Sequence, residues 1–331
     1  MPETCIIETN GLKKTYSTKS KGRKKLVEAV KGVDLSVKKG EIYGFLGPNG
    51  AGKSTTQKML STLIPPTGGA ATVNGFDLLR EQKKIRMCIG FVSQAGGTDP
   101  LSTGFENLIM QARLYGADKD TAKKRAEDFI RRFQMESFAD RRASSYSGGQ
   151  RRRCDIALGM IHHPAILLLD EPTTGLDPQS RAYLWEEIRN LQKDGVSVFL
   201  STHYLDEADK LCDTVAIIDN GEIVAQGAPA DLKAGIGADT ISLDFATADI
   251  AVKSMELLQN AEEVENANAK GNTVHLHVKN MEQVLPSLLR LLDTNRFEAQ
   301  SIALMKPSLD DVFLKHTGRS LREDNYNEND Q

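Results

Sequence analysis

The stretch Glu41-Ile42-Tyr43-Gly44-Phe45-Leu46-Gly47-Pro48-Asn49-Gly50-Ala51-Gly52-Lys53-Ser54-Thr55 reads as a short apolar strand, a glycine-rich loop and the opening of a helix. The helix is expected over Thr55 to Leu63, with turn signals from Ser61 to Pro66 stopping it. Gly47, Gly50 and Gly52 let the backbone bend so that consecutive N–H groups face one point, and the positive end of the helix faces the same point. That is an anion cradle of phosphate size. Lys53 adds a mobile cation for the outer phosphates, and the Ser54 hydroxyl suits a magnesium ion. With Pro48, Asn49, Ala51 and Thr55, these residues form a nucleotide-binding loop in its required strand–loop–helix context.

Such a loop alone leaves kinases, GTPases and motor ATPases open. The next segment to read is Ala165-Ile166-Leu167-Leu168-Leu169-Asp170-Glu171, whose continuous apolar run marks a strand buried on both faces of a parallel sheet. Its end carries two carboxylates. Asp170 is the candidate to hold magnesium and Glu171 the candidate to polarise an attacking water, because a carboxylate engaged with a cation cannot also be the free base. The plain alternative is a capped strand end before the turn at Pro172.

Tyr146-Ser147-Gly148-Gly149-Gln150 lies shortly before that strand and runs into a helical stretch, Gln150 to Ile161. Here the chain resembles the ABC ATPase family, whose LSGGQ signature opens a helix in the same way. Ser147 and the amides of Gly148 and Gly149 make an anion cradle without a lysine. The resemblance implies that this cradle, with Gln150, grips ATP held by the loop of a second subunit in a head-to-tail homodimer. Tyr146 replaces the family's usual Leu. A Ser-Gly-Gly helix cap is the ordinary reading of the same residues.

The other family motifs follow in order over about residues 5 to 228. Gln94 resembles the glutamine that contacts magnesium and water and links to a membrane partner. Asp177, in Gly175-Leu176-Asp177, resembles the loop that touches the opposite active site, and it also suits a Gly-Asp-Pro turn. His203, after the expected strand Val196 to Leu200, resembles the histidine that reaches the γ-phosphate. Tyr16 resembles the aromatic that stacks on adenine, although a lysine-rich insertion follows it. The fold implied is an α/β P-loop NTPase of the ABC type, residues 1–228, with a helical subdomain at about 95–163. ATP and Mg2+ are the implied cofactors.

Beyond Gly227 the pattern changes. Strands at Thr240 to Phe245, Val264 to Ala267, Thr273 to Val278 and Ala299 to Leu304 alternate with helices at Val252 to Leu258 and Met281 to Leu292. This β-α-β-β-α-β order is ferredoxin-like, giving a small α+β accessory domain over 229–318. A short helix, Ser308 to Leu314, follows, and the polar stretch 319–331 reads as disordered. Pro307-Ser308-Leu309-Asp310-Asp311-Val312-Phe313 and Thr202-His203-Tyr204-Leu205-Asp206-Glu207-Ala208-Asp209 resemble the daunorubicin-resistance type. That resemblance implies export of a drug, lipid or other amphipathic substrate through a separate ABC-2 membrane subunit.

Bulk properties set the limits. The 331 residues suit about two domains. Forty-two basic and 45 acidic side chains leave a net charge of -3, so a dedicated nucleic-acid binder is not expected. The basic run Lys19 to Lys25, between possible strands at Cys5 to Glu8 and Leu35 to Val37, reads as a solvated hairpin tip. Cys5, Cys88, Cys154 and Cys212 show no CxxC pair, as expected of reduced thiols. His162, His163, His275 and His277 read as structural. No apolar run reaches the roughly 20 residues of a membrane span, so the chain is not expected to cross a membrane alone; the resemblance implies a place at the cytoplasmic face of the membrane, through the partner. A soluble ABC ATPase acting on nucleic acid or ribosomes is the alternative, but neither a long coiled-coil insertion nor a second ABC unit is present. A non-enzymatic ATP clamp would be expected to lack Glu171 or the signature.

Overall fold

A computed structural model of the chain describes residues 4–20, 23–237, 239–261 and 263–321. The run Ile42–Leu46 is buried at every position and forms an inner strand of a six-stranded sheet. The strands lie in the order Glu222–Gly227, Thr214–Asp219, Ile42–Leu46, Ser197–Thr202, Ile166–Asp170 and Ile89–Val92. The first pair is antiparallel and the other four are parallel. Continuous apolar sequence is what a parallel strand covered on both faces requires. Phe199 illustrates the packing: it stacks on Tyr43 at 5.5 Å and tilts against Phe45 at 5.6 Å.

The register of this sheet positions the site. Leu46 lies opposite Thr202, and both Phe45 and Asp170 lie opposite Ser201. The segments that follow, beginning at Gly47, Glu171 and His203, therefore leave the sheet at one edge. In an open α/β sheet, ligands collect at the carboxyl ends of the strands.

An antiparallel sheet belongs to the same unit, with Arg23–Val33, Cys5–Ser20, Gly68–Val73 and Phe76–Asp77 in order and Ser36–Lys38 also pairing with Cys5–Ser20. The first strand runs much further than the expected Cys5 to Glu8. Gly11, with φ 56°, and irregularities at Leu12/Lys13 and Lys14/Thr15 carry it through bulges rather than ending it. The basic run falls at a hairpin, since pairing continues to Lys19 with Lys24 and Ser20 with Arg23.

Three helices contribute caps that can be read in the sequence. Thr103 and Glu106 form a capping box on Gly104–Leu114, Asp118 caps Lys119–Arg132, and Ser147 and Gln150 form a second box on Gly148–Met160. None of the helices among the described residues is long and apolar enough to cross a membrane. The four cysteines are free thiols.

Residues Ala230–Ser320 form a second compact unit. Its sheet runs Val264–Lys270, Thr273–Val278, Asp239–Asp244, Ser301–Met305, antiparallel throughout. Helices Ala248–Leu258 and Met281–Thr294 cover it, with Ile241, Leu243, Leu276, Leu288 and Leu292 among the buried core. This is the ferredoxin-like order. The first of these helices begins four residues before the expected Val252 because Thr247 caps it, its side chain accepting from the Ile250 amide. The last helix runs Leu309–Thr317, between a Ser308/Asp311 capping box and the left-handed Gly318. Residues 322–331 of the expected disordered stretch lie outside the described residues.

Because the two units have separate cores, a chain ended at Pro229 is expected to bind nucleotide within about threefold of the full chain, under ~1 kcal/mol. Isothermal titration calorimetry measures this, and loss of binding would contradict the separation.

Candidate functional site

The glycine-rich loop is shaped by two close approaches. A Cβ on Gly47 would lie 2.2 Å from the carbonyl oxygen of Ile218, and one on Gly52 would lie 2.5 Å from that of Ala29. Gly52 also sits at φ 109° as the N-cap of helix Lys53–Leu60. This cap starts the helix two residues earlier than the sequence pattern indicated. Lys53 folds back over the loop, its Nζ donating to Gly47 O at 2.7 Å and Pro48 O at 3.0 Å. A hollow of about 350 Å3 lies above, lined by Ala29, Asn49, Gly50, Gly52, Lys53, Ser54, Thr55, Gln94 and Glu171.

The two carboxylates are separated by their partners. Asp170 Oδ1 accepts from Ser54 Oγ at 2.9 Å and from Ser201 Oγ at 2.6 Å. Glu171 Oε1 lies 3.2 Å from Lys53 Nζ. Its Oε2 accepts from Gln94 Nε2 and Thr174 Oγ1 at 3.3 Å each and lies 3.3 Å from His203 Nδ1. The Glu171 backbone is left-handed, at φ 47°, with its amide pointing at Ser201 O and Oγ. A non-glycine residue held there stores strain that the surrounding bonds maintain. Burial pushes the Glu171 carboxyl up, but the hydrogen bond and charge of His203 and the charge of Lys53 outweigh it and bring it to about 2. Glu171 is therefore ionised at neutral pH.

Structure thus gathers Gly47, Pro48, Asn49, Gly50, Ala51, Gly52, Lys53, Ser54, Thr55, Gln94, Asp170, Glu171 and His203 around one sheet edge. Ser147, Gly148, Gly149 and Gln150 do not line that hollow. Ser147 Oγ accepts from the Gln150 amide and Gln150 Oε1 from the Ser147 amide, so the sequence's helix-cap reading holds. Tyr146 packs edge-on against Phe138, and its hydroxyl accepts from the Gly104 amide at 3.0 Å. Asp177 caps helix Pro178–Lys193 through Ser180, whose hydrogen bonds hold its carboxyl below the usual range. Tyr16 also lies outside the lining of the hollow, with Lys14 Nζ 5.3 Å from its ring centroid. His162 stacks on Tyr115, His163 tilts against Phe129, and His275 and His277 hydrogen-bond to Ser242 and Thr240.

Three residues of the site escaped the sequence reading. Ser201 Oγ donates to Asp170 Oδ1 and accepts from the Glu171 amide. Arg152, almost fully buried, donates to Pro172 O, Ser93 O and Asp170 O. Asp155 accepts from the Gly97 amide and from both the amide and hydroxyl of Thr98. Helix Gly148–Met160 is thereby tied to the Gln94 loop and to the acidic strand end. Arg152 stands between Arg151 and Arg153, and only the helical phase of an already placed helix distinguishes it.

A family model described as ABC transporter matches residues 30–174, and one described as the C-terminal domain of DrrA1-3-like ATP-binding proteins matches residues 227–317. The daunorubicin/doxorubicin resistance ATP-binding protein DrrA of Streptomyces peucetius is 40% identical over 316 residues, covering 95% of this chain and 93% of that protein. The chain belongs to the DrrA-type ABC transporter ATP-binding proteins. Among other members, the linearmycin resistance ATP-binding protein LnrL of Bacillus subtilis is 34% identical, over 96% of this chain and 100% of that one. A solved ATP-binding cassette, MJ0796, described as dimeric in a post-hydrolysis state with ADP and Pi, is 28% identical. It superposes with a TM-score of 0.62 over 67% of this chain and 98% of that one. Membership makes ATP the nucleotide and hydrolysis the reaction.

Lys53 is expected to be the main cation for the phosphates. Lys53→Ala should weaken ATP binding by about 10- to 100-fold, the worth of a charge-assisted hydrogen bond or two. Competition with a fluorescent nucleotide measures it, and unchanged affinity would contradict the assignment.

Proposed function

We propose that this ATPase powers export of a drug, lipid or other amphipathic substrate through a separate ABC-2-type membrane subunit, working as a homodimer at the cytoplasmic face of the membrane. The observation that carries the catalytic part is Glu171: an ionised carboxylate beside the phosphate loop, contacted by Lys53, Gln94 and His203. Such a group is the base that orients and polarises a water for in-line attack. Lys53 Nζ lies 3.2 Å from Glu171 Oε1. Bound phosphates would draw Lys53 to themselves and free Oε1 for the water. His203, 3.3 Å from the same carboxylate, would then face the γ-phosphate.

The donors around Asp170 fit a hard divalent cation, since Ser54, Gln94 and Asp170 offer a hydroxyl, an amide oxygen and a carboxylate. Mg2+ held there would neutralise phosphate charge. Dimerisation is supported by the signature helix end: Ser147, Gly148 and Gly149 form an anion cradle apart from this chain's own phosphate loop, and MJ0796 is described as dimeric. Asp177 would touch the opposite site, and Tyr16 remains the candidate for adenine. The division of the chain at 228/229, with a helical subdomain at about 95–163, belongs to the same proposal. Export is supported by the drug-resistance relatives. A groove of about 370 Å3, lined in part by Leu63, Phe91 and Tyr115 and also by Arg86, Gln111 and Asp155, suits an amphipathic segment of the membrane subunit.

Glu171→Gln tests the proposal. Turnover is expected to fall about 10²- to 10⁴-fold, while ATP drives the chain into a dimer seen by size-exclusion chromatography. Undiminished turnover would remove Glu171 from the role of base. Ser147→Arg should keep ATP binding by the protomer and abolish that ATP-driven dimer.

A further inference from the structure

Glu207 is buried completely, on helix Leu205–Leu211 just beyond His203. A buried carboxyl is costly, and an apolar side chain of similar size would pack there at lower cost. Its surroundings explain its presence. Oε1 accepts from Trp185 Nε1 at 2.9 Å, across to helix Pro178–Lys193. Thr202, Thr173 and the charge of Arg181 lie near the carboxyl, but Oε2 and the Thr173 hydroxyl make no hydrogen bond. Thr202 immediately precedes His203, and Thr173 is two residues beyond Glu171. A second link runs parallel to the first: the Arg181 guanidinium lies 4.6 Å from the Tyr204 ring centroid, and that ring lies 4.1 Å from His203. Burial raises the Glu207 carboxyl above the usual range.

We propose that Glu207, through Trp185, is a positioning residue that fixes helix Leu205–Leu211, just beyond His203, to helix Pro178–Lys193. The inference rests on the reading of Glu171 and His203 as residues of ATP hydrolysis. It adds a mechanical connection: a displacement of His203 by phosphate is passed to the helix that begins at Asp177. Trp185 is the chain's one tryptophan, so the connection has its own optical reporter.

The test uses the full chain. Glu207→Leu is expected to lower kcat by roughly 10- to 100-fold with little change in KM for ATP. Glu207→Gln should keep kcat, because its amide oxygen still accepts from Trp185. Trp185→Phe should reproduce the loss, and combining it with Glu207→Leu should add nothing further. ATP should shift the emission of Trp185 in the native chain and in Glu207→Gln, but not in Glu207→Leu. Full kcat in Glu207→Leu with only a lower melting temperature would overturn the proposal. So would multiplying losses in the double variant, a Gln variant as slow as the Leu one, or native emission indifferent to ATP. Glu171→Gln, assayed alongside, separates the two levels: if it turns over normally, the catalytic reading itself fails, whereas slow Glu171→Gln beside normal Glu207→Leu sinks only the positioning role.

Discussion

The site depends on the register of parallel strands. With Leu46 opposite Thr202, and Asp170 and Phe45 both opposite Ser201, the phosphate loop, the acidic pair and His203 leave the sheet within one hydrogen-bonding reach of each other. A shift of one residue in any of these strands would exchange the side chains packed on its two faces and pull the loops apart. The core of Tyr43, Phe45 and Phe199 resists such a shift. Catalytic geometry here is consequently a property of packing as much as of the site residues.

Electrostatics then assigns the roles. Asp170 receives two hydroxyls, whereas Glu171 receives a cation, an amide and an imidazole beside one hydroxyl. Adjacent residues of the same chemical type are made different by the left-handed turn at Glu171, which sends its side chain away from that of Asp170. Arg152 holds the turn from behind by binding the carbonyls of Asp170 and Pro172. Since Arg152 sits on the helix that Ser147 caps, whatever the helix end binds is linked to the position of the carboxylates.

Most of this was legible in the chain itself, for physical reasons. Phosphate binding demands glycines at fixed spacing, and buried parallel strands demand unbroken apolar runs, so Gly47 to Ser54, Ile166 to Glu171 and His203 stood out. The accessory sheet was legible through the order in which its strands and helices alternate. What stayed hidden has no period. Ser201 and Arg152 act through backbone carbonyls and a carboxylate that only the folded register brings close, and Glu207 resembles any acidic residue on an amphipathic helix. The length of strand Cys5–Ser20 was hidden because bulges at Leu12 and Lys14 erase its alternation.

The central claim is that the phosphate loop of one copy is completed by Ser147 of another. Complementation tests it most directly: Glu171→Gln and Ser147→Arg chains, each inactive alone, are mixed in equal amounts and assayed for ATP hydrolysis. A shared site predicts recovery above either component, because a mixed dimer pairs the native phosphate loop and Glu171 of the Ser147→Arg chain with the native Ser147 of the Glu171→Gln chain. A mixture no more active than its separate components would contradict it.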